Sequence, residues 1–162
     1  SAPLAGDDPL AVLRLPPDLL ETAYGNNAAS RITRMDVELT LLSFNPQLVD
    51  ASQVFFGAAL QDAASSGLAG LHVQLVQPGV INLGRREGDR IETISQRAVN
   101  AVVARIRLER DPTRGQVTLY FDGDPVGQPV ALARPDGAVL PVLYIRRGDV
   151  IVSVNRWTLT LR

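Results

Sequence analysis

Alternating charged residues near the start of the chain are the clearest candidates for chemistry in this sequence of 162 residues. Arg34, Asp36 and Glu38 alternate with the apolar Met35 and Val37, so an extended strand would place the three charges on one face. Two carboxylates on one face could act as a catalytic acid and base. However, residues two apart on a strand are separated by roughly 6.6 Å of rise, whereas a retaining glycosidase needs carboxyl groups about 5–5.5 Å apart. We therefore predict a solvated polar face instead of a catalytic pair.

Two later segments repeat this alternation and extend the polar face. Arg105 and Arg107 alternate with apolar neighbours, and Tyr120 lies between Leu119 and Phe121. Together the three segments predict one binding surface, which consists of Arg34, Asp36, Glu38, Arg105, Arg107 and Tyr120. Guanidinium donors, carboxylate acceptors and an aromatic ring suit sugar hydroxyls, the carboxylates of acidic sugars or a protein hot spot. The expected ligand is a glycan or a protein, and the loops at the sheet ends are the alternative location.

The sequence excludes several other kinds of site. It has no Cys, and hence no disulfide, thiolate metal site or cysteine nucleophile. Its single histidine, His72, alternates with Leu71 and Val73, so we expect a surface-facing imidazole without catalytic partners. One histidine is also too few for a multi-histidine metal site. The sequence therefore predicts no catalytic residue.

Turn aspartates raise the question of calcium binding. Asp122 and Asp124, with Asp111 or Asp136, could supply oxygen ligands to Ca²⁺. Asp is also an ordinary residue of hairpin turns, and we favour that role, so we predict no metal and no cofactor. Residues 147–149 spell Arg-Gly-Asp, the tripeptide of integrin recognition, but their position between two predicted strands indicates a turn first.

Charge and hydropathy exclude two classes of partner. All 16 basic residues are Arg, 17 acidic residues offset them, and the formal net charge is −1. Scattered Arg without a basic surplus argue against nucleic-acid binding. The longest uncharged stretch, residues 63–84, contains several polar residues and four Gly, which indicates a loop and a strand. We therefore predict no contact with nucleic acid and no membrane insertion.

Proline and glycine spacing indicates how the chain is organised. We expect residues 1–30 to form an irregular N-terminal segment that packs on the domain, with at most one helical turn over 18–24. Residues 31–162 are expected to form a single β-sandwich domain. The chain begins at Ser1 without a signal segment, and we expect it to be a module of a larger, extracytoplasmic or secreted protein.

Hydrophobic alternation and β-branched runs predict strands along most of the domain. These strands cover residues 34–41, 54–60, 71–75, 117–121, 139–145 and 150–154. The predicted core consists of Met35, Val37, Leu39, Leu119, Phe121, Val152, Trp157 and Leu159. The apolar phase changes between Val154 and Trp157, which predicts a β-bulge near Asn155 and Arg156.

One segment fits two kinds of secondary structure. Residues 91–110 nearly match a helical stripe, whereas 104–109 alternate strictly between apolar and charged residues. We favour a strand over 101–109. Short strands with frequent turns then predict an all-β, antiparallel sandwich with few or no helices.

A hairpin pattern in residues 100–127 resembles a known superfamily. The pattern V-x-L-Y-x-D-G-x-x-V-G is formed here by Val117, Leu119, Tyr120, Asp122, Gly123, Val126 and Gly127. It is similar to the hairpin of laminin-G-like domains and of other jelly rolls of the concanavalin A-like lectin and glucanase superfamily. The Asp-Gly pair also predicts a tight turn with positive φ on physical grounds alone. The resemblance implies a jelly roll.

The same resemblance frames the functional alternatives. Glycoside hydrolases of that superfamily carry E-[apolar]-D-x-E on their sheet, and here Arg34 stands at the position of the nucleophilic Glu. We therefore expect a non-catalytic recognition, sensor or spacer module that binds glycan or protein. The alternatives are a glycoside hydrolase or lyase of the same fold that uses Asp36 and Glu38, and an intracellular assembly domain.

Overall fold

Two antiparallel β-sheets packed face to face form the structure. The computed structural model describes residues 10–47, 50–65, 67–132, 137–146 and 150–162. Alternating apolar side chains on the inner face of each sheet fill the space between the sheets, as in other sandwiches. The predicted all-β antiparallel sandwich with few helices is confirmed.

Sheet A contains six strands in the order β1-β11-β3-β4-β5-β6. These strands are β1 (Leu10–Arg14), β3 (Val54–Asp62), β4 (Leu68–Gln77), β5 (Val80–Glu87), β6 (Arg90–Ala98) and β11 (Val139–Arg146). Strands β3 and β4 are central and are buried along most of their length, β5 is buried at half of its residues, and β6 is an exposed edge. The positions of β3, β4 and β11 agree with the prediction.

Sheet B has the order β10-β8-β7-β2-β12, with β9 paired to β8. Its strands are β2 (Ile32–Phe44), β7 (Val103–Asp111), β8 (Gln116–Phe121), β9 (Asp124–Pro125), β10 (Val130–Ala131) and β12 (Val150–Leu161). Strands β2, β7 and β8 alternate between buried and more accessible residues, so one face packs in the core and the other faces solvent.

The predicted core residues lie between the sheets. Five of the eight are fully buried on β2 and β8, namely Met35, Val37, Leu39, Leu119 and Phe121. The other three, Val152, Trp157 and Leu159, are only partly buried against the same core. They belong to β12, an edge strand with a neighbour on one side only, which explains their greater exposure.

Two turn and strand details follow the sequence closely. The register between β12 and β2 shifts between Val154 and Arg156, which confirms the predicted bulge. Asp122 and Gly123 both have positive φ, 50° and 90°, as the Asp-Gly hairpin requires. By contrast, the helical alternative for residues 91–110 is wrong, because this segment forms β6, a connection and β7.

The N-terminal segment is more regular than expected. Strand β1 pairs with β11 and completes sheet A, and helix α1 (Pro17–Tyr24) buries Leu20 in the core. A four-residue helix, α2 (Ala28–Arg31), follows. Among the described residues, the helices are too short and too polar to span a bilayer. The Arg-Gly-Asp tripeptide at 147–149 lies outside the described residues.

Candidate functional site

Strand register brings all six predicted site residues together on the solvent-facing side of sheet B. Asp36 lies opposite Arg107, and Glu38 lies opposite Arg105 across the β2–β7 pair. Arg107 in turn lies opposite Tyr120 across the β7–β8 pair. We call this surface the polar face of sheet B, and it comprises Arg34, Asp36, Glu38, Arg105, Arg107 and Tyr120 together with their neighbours on β12.

Ion pairs organise one half of this face around Asp36. Arg34 binds both carboxylate oxygens of Asp36, with Nε–Oδ2 and Nη2–Oδ1 distances of 2.5 and 3.0 Å. Arg107 donates from Nε to Asp36 Oδ1 at 3.3 Å, and its Nη1 lies 3.5 Å from Glu109. The Arg107 guanidinium also lies 5.5 Å from the centre of the Tyr120 ring, within the range of a cation–π contact.

Glu38 organises the other half. Arg105 donates from Nε to Glu38 Oε2 at 2.9 Å, and Asn155 donates from Nδ2 to Glu38 Oε1 at 3.2 Å. Asn155 also donates to Thr40 Oγ1 at 2.6 Å. Asn155 was predicted to lie at the bulge but not in the binding surface, because the bulge removes it from simple alternation.

A shallow depression of about 230 Å³ lies across β2 and β7 on this face. Its polar lining contains three guanidinium groups and three carboxylates, from Asp36, Glu38, Arg105, Arg107, Asp122 and Arg156. The Arg105 side chain remains 68% exposed despite its ion pair, so most of its donors face solvent. The depression therefore offers both donors and acceptors to a hydroxyl-rich ligand.

Both central carboxylates are held in their charged form. Burial alone would raise the pKa of Asp36, but the hydrogen bonds from Arg34 and Arg107 outweigh burial and lower it. The hydrogen bonds from Arg105 and Asn155 lower the pKa of Glu38. Neither group therefore keeps a proton at neutral pH, as a general acid must.

The aspartates considered for calcium contact other groups of the protein, and Asp124 forms an ion pair with Arg97 at 3.6 Å. Asp111 accepts hydrogen bonds from the backbone N–H groups of Thr113 and Arg114, and Asp122 accepts one from the backbone N–H of Arg105. Asp136 lies outside the described residues. Within the described ranges, no cluster of three or more metal-binding side chains occurs.

A second polar cluster, which sequence analysis missed, lies on the side of sheet A that is turned away from sheet B. It contains His72, Arg86 and Tyr144, from β4, β5 and β11, and we call it the His72 cluster. The expectation of a surface-facing His72 is wrong, since the side chain is only 5% exposed. The alternation does turn His72 away from the core, but this face of the central strand β4 is buried as well.

Contacts within the His72 cluster are close. The Tyr144 hydroxyl donates to the Leu71 carbonyl at 3.2 Å and lies 3.4 Å from His72 Nδ1. Phe55 packs on the imidazole with ring centres 4.8 Å apart. Burial and the positive charge of Arg86 lower the pKa of His72 to about 3, and burial raises the pKa of Tyr144 to about 12. Both groups are therefore neutral at physiological pH.

Comparison with solved structures identifies the fold. The structure is similar to a family 7 alginate lyase, A1-II′, with 10% sequence identity over 99% of this chain and 75% of that chain, at a TM-score of 0.59. The marine PL7 alginate lyase from Zobellia galactanivorans matches with 10% identity over 82% of this chain and 62% of that chain, at 0.54. The carbohydrate-binding module CBM66 from Bacillus subtilis matches with 10% identity over 80% of this chain and 74% of that chain, at 0.50.

Sequence comparisons add no further relationship. No protein-family model matches the chain, and no curated protein is similar to it in sequence. The narrower resemblance to laminin-G-like domains stays a prediction, whereas the broader one is confirmed at the level of fold. The chain therefore has the jelly-roll sandwich fold of the concanavalin A-like lectins and glucanases.

Proposed function

We propose that this chain is a non-catalytic glycan-recognition module that binds oligosaccharide on the polar face of sheet B. The observation that carries the proposal is the depression on this face, which is lined by both guanidinium and carboxylate groups. We also propose that the module belongs to a larger extracytoplasmic protein. A carbohydrate-binding module with the same fold supports a glycan as the ligand.

The ion pairs prepare this face for binding. Asp36 is held by two guanidinium groups, and Glu38 is held by Arg105 and Asn155, so both acceptors are oriented before a ligand arrives. Preorganised side chains lose little conformational entropy on binding, which favours affinity. Their backbone belongs to paired strands of one sheet, which fixes the spacing between donors and acceptors.

The first prediction tests the location of the site. Arg105→Gln removes an exposed donor of the depression, and we expect oligosaccharide affinity to fall about 10- to 100-fold, as loss of a charge-assisted hydrogen bond would produce. Affinity is measured by calorimetry with a hit from a glycan array. The matched control is Arg90→Gln, an exposed residue on the β6 edge of sheet A, which should leave affinity unchanged.

Two outcomes would contradict the proposed site. Affinity that survives the double change Tyr120→Ala and Arg107→Ala would move binding to the loops at the sheet ends. An array without any hit would favour a spacer role over glycan recognition.

The second prediction tests the absence of catalysis. We expect no release of reducing sugar ends from β-glucans, galactans or related polysaccharides. Arg34 stands where a nucleophilic carboxylate would be needed, and Asp36 and Glu38 stay ionised, so neither can donate the proton that hydrolysis requires. The competing hypothesis is that this chain is a hydrolase or lyase, because alginate lyases are among the proteins with a similar structure. Activity in the wild type that disappears in Glu38→Gln would establish that alternative.

A further inference from the structure

Arg86 is an anomaly in this molecule, because it is almost completely buried without an ion pair. It is 2% exposed, and among the described residues no carboxylate lies within 4.0 Å of its guanidinium nitrogens. Its Nε donates to the Gly88 carbonyl at 3.1 Å, while Nη2 is buried and has no hydrogen-bond partner. The Gly88 carbonyl and the Tyr144 ring offset part of the cost of burying this charge, but no negative group among the described residues pairs with it, so the site can accept an anionic ligand.

Within the described residues, Arg86 brings a positive charge to this cluster and no carboxylate forms an ion pair with it. The guanidinium carbon lies 4.9 Å from the centre of the Tyr144 ring. His72, beyond that ring, carries no charge at neutral pH because of its burial and the nearby guanidinium. A ligand that balances this site therefore has a single negative charge. The planar fork of a guanidinium matches a carboxylate in particular.

Glycines make room for this cluster on the central strands. Each of its three side chains lies opposite a glycine across the ladder: Arg86 faces Gly70, His72 faces both Gly57 and Gly84, and Tyr144 faces Gly57. A Cβ atom at Gly57 would lie 2.4 Å from the Tyr144 ring, and one at Gly84 would lie 3.4 Å from His72 Cβ. Because glycines lie opposite the three polar side chains, the backbone of the neighbouring strands lies close to the cluster, and those positions add no side chain to the space around it.

We propose that this face of sheet A contains a binding site for one ligand carboxylate, in which Arg86 supplies the charge and the Tyr144 hydroxyl lies beside it. The site is separate from the polar face of sheet B and does not depend on the function proposed for that face. Because the three side chains are 2–5% exposed, entry of a ligand requires a local opening of this face. The β6 edge next to Arg86 is the exposed part of the sheet here.

The test uses the wild-type chain and its only histidine. His72 gives a single imidazole Cε1–H signal in the NMR spectrum, which needs no assignment by mutation. Three additions are compared at equal ionic strength: trigalacturonate, sodium acetate and neutral cellotriose. We expect trigalacturonate to shift the His72 signal and to raise Tm by about 5–10 °C at one hundred times its Kd. Cellotriose, which has no carboxylate, should leave the His72 signal unchanged.

Acetate distinguishes the two sources of the carboxylate. If both acetate and trigalacturonate shift the His72 signal, the site recognises the carboxylate alone. If trigalacturonate shifts the signal and acetate does not, the site also recognises the sugar. Either result supports the proposal. An unchanged His72 signal with both acids overturns it. The NMR arm needs no variant, so the proposal is tested even if substitution of Arg86 prevents folding.

Variants separate this site from the other one. Arg86→Met should abolish both responses, and without ligand it should be at least as stable as the wild type, because it removes an uncompensated buried charge. Arg107→Met, on the polar face of sheet B, should retain both responses. Responses that persist in Arg86→Met and vanish in Arg107→Met would refute the Arg86 site and support the sheet B site instead.

Discussion

Replacing Gly57 with alanine is expected to destabilise the fold by about 3 kcal/mol or more, at the upper end of the cost of overpacking a core. An ideal Cβ at this position would lie 2.4 Å from the Leu71 carbonyl oxygen and 2.4 Å from the Tyr144 ring carbon and hydroxyl. The carbonyl belongs to the neighbouring strand β4, so relief would require the central strands of sheet A to separate. Urea unfolding followed by the fluorescence of the single Trp157 measures this effect.

Gly88→Ala is the matched control for this substitution. Gly88 has a φ of 59°, but a Cβ there would meet nothing within 4 Å. Gly88→Ala should therefore lower the free energy of unfolding only by the backbone strain of a left-handed residue, about 1 kcal/mol. Gly57 does not have a positive φ, so its loss should come from the close approach of Tyr144 and Leu71 alone. A loss in Gly57→Ala no larger than that in Gly88→Ala would contradict the prediction.

Acidification should destabilise the wild type through His72, beginning below pH 6.5. The pKa of His72 is about 3 in the folded chain, against an ordinary value of 6.5. Between these values the unfolded chain binds a proton that the folded chain does not, so the free energy of unfolding falls by up to about 1.4 kcal/mol per pH unit. Above pH 6.5 both states are neutral, and this contribution to the pH dependence disappears.

The measurement compares urea unfolding at pH 7 and pH 5 in the wild type and in His72→Gln. The variant should lose most of the pH dependence over this range, because the carboxylates with lowered pKa, Asp36 and Glu38, act at lower pH. The charged and titratable groups next to the imidazole are Arg86 and Tyr144, and the pKa of Tyr144, about 12, lies far above this interval. An NMR titration of folded wild type with a midpoint near 6.5 would contradict the prediction.

Alternation in the sequence was sufficient to predict the polar face of sheet B. Strands β2, β7 and β8 each bury one side only, so the phase of the apolar residues determines the direction of Arg34, Arg107 and Tyr120. Strand order and register were not predicted, because pairing between β2 and β7 depends on contacts across more than 60 residues of chain. The partners within the ion network therefore became apparent only in the structure.

The same reasoning failed for His72. A strand in the middle of a sheet can bury both faces, and alternation then gives the side of the sheet but not the access of solvent to it. Gly57, Gly70 and Gly84 were the available signal, because glycine inside a strand marks a close approach of another group. Strand β1 was missed for another reason: its five residues lie between prolines, and its partner β11 is more than 120 residues away.

Pairing between distant strands has a consequence for how this chain reaches its native state. The first strand of sheet A pairs with β11, and the first strand of sheet B pairs with β12, the last strand of the chain. Loops of this length must close before either pairing contributes, so a high contact order and slow folding are expected. During synthesis on the ribosome, β2 would emerge long before β12. The edge of β2 that pairs with β12 would remain unpaired until β12 is made. Until then the unpaired edge of β2 is exposed to pairing with other chains, so the topology makes the incomplete chain prone to aggregation.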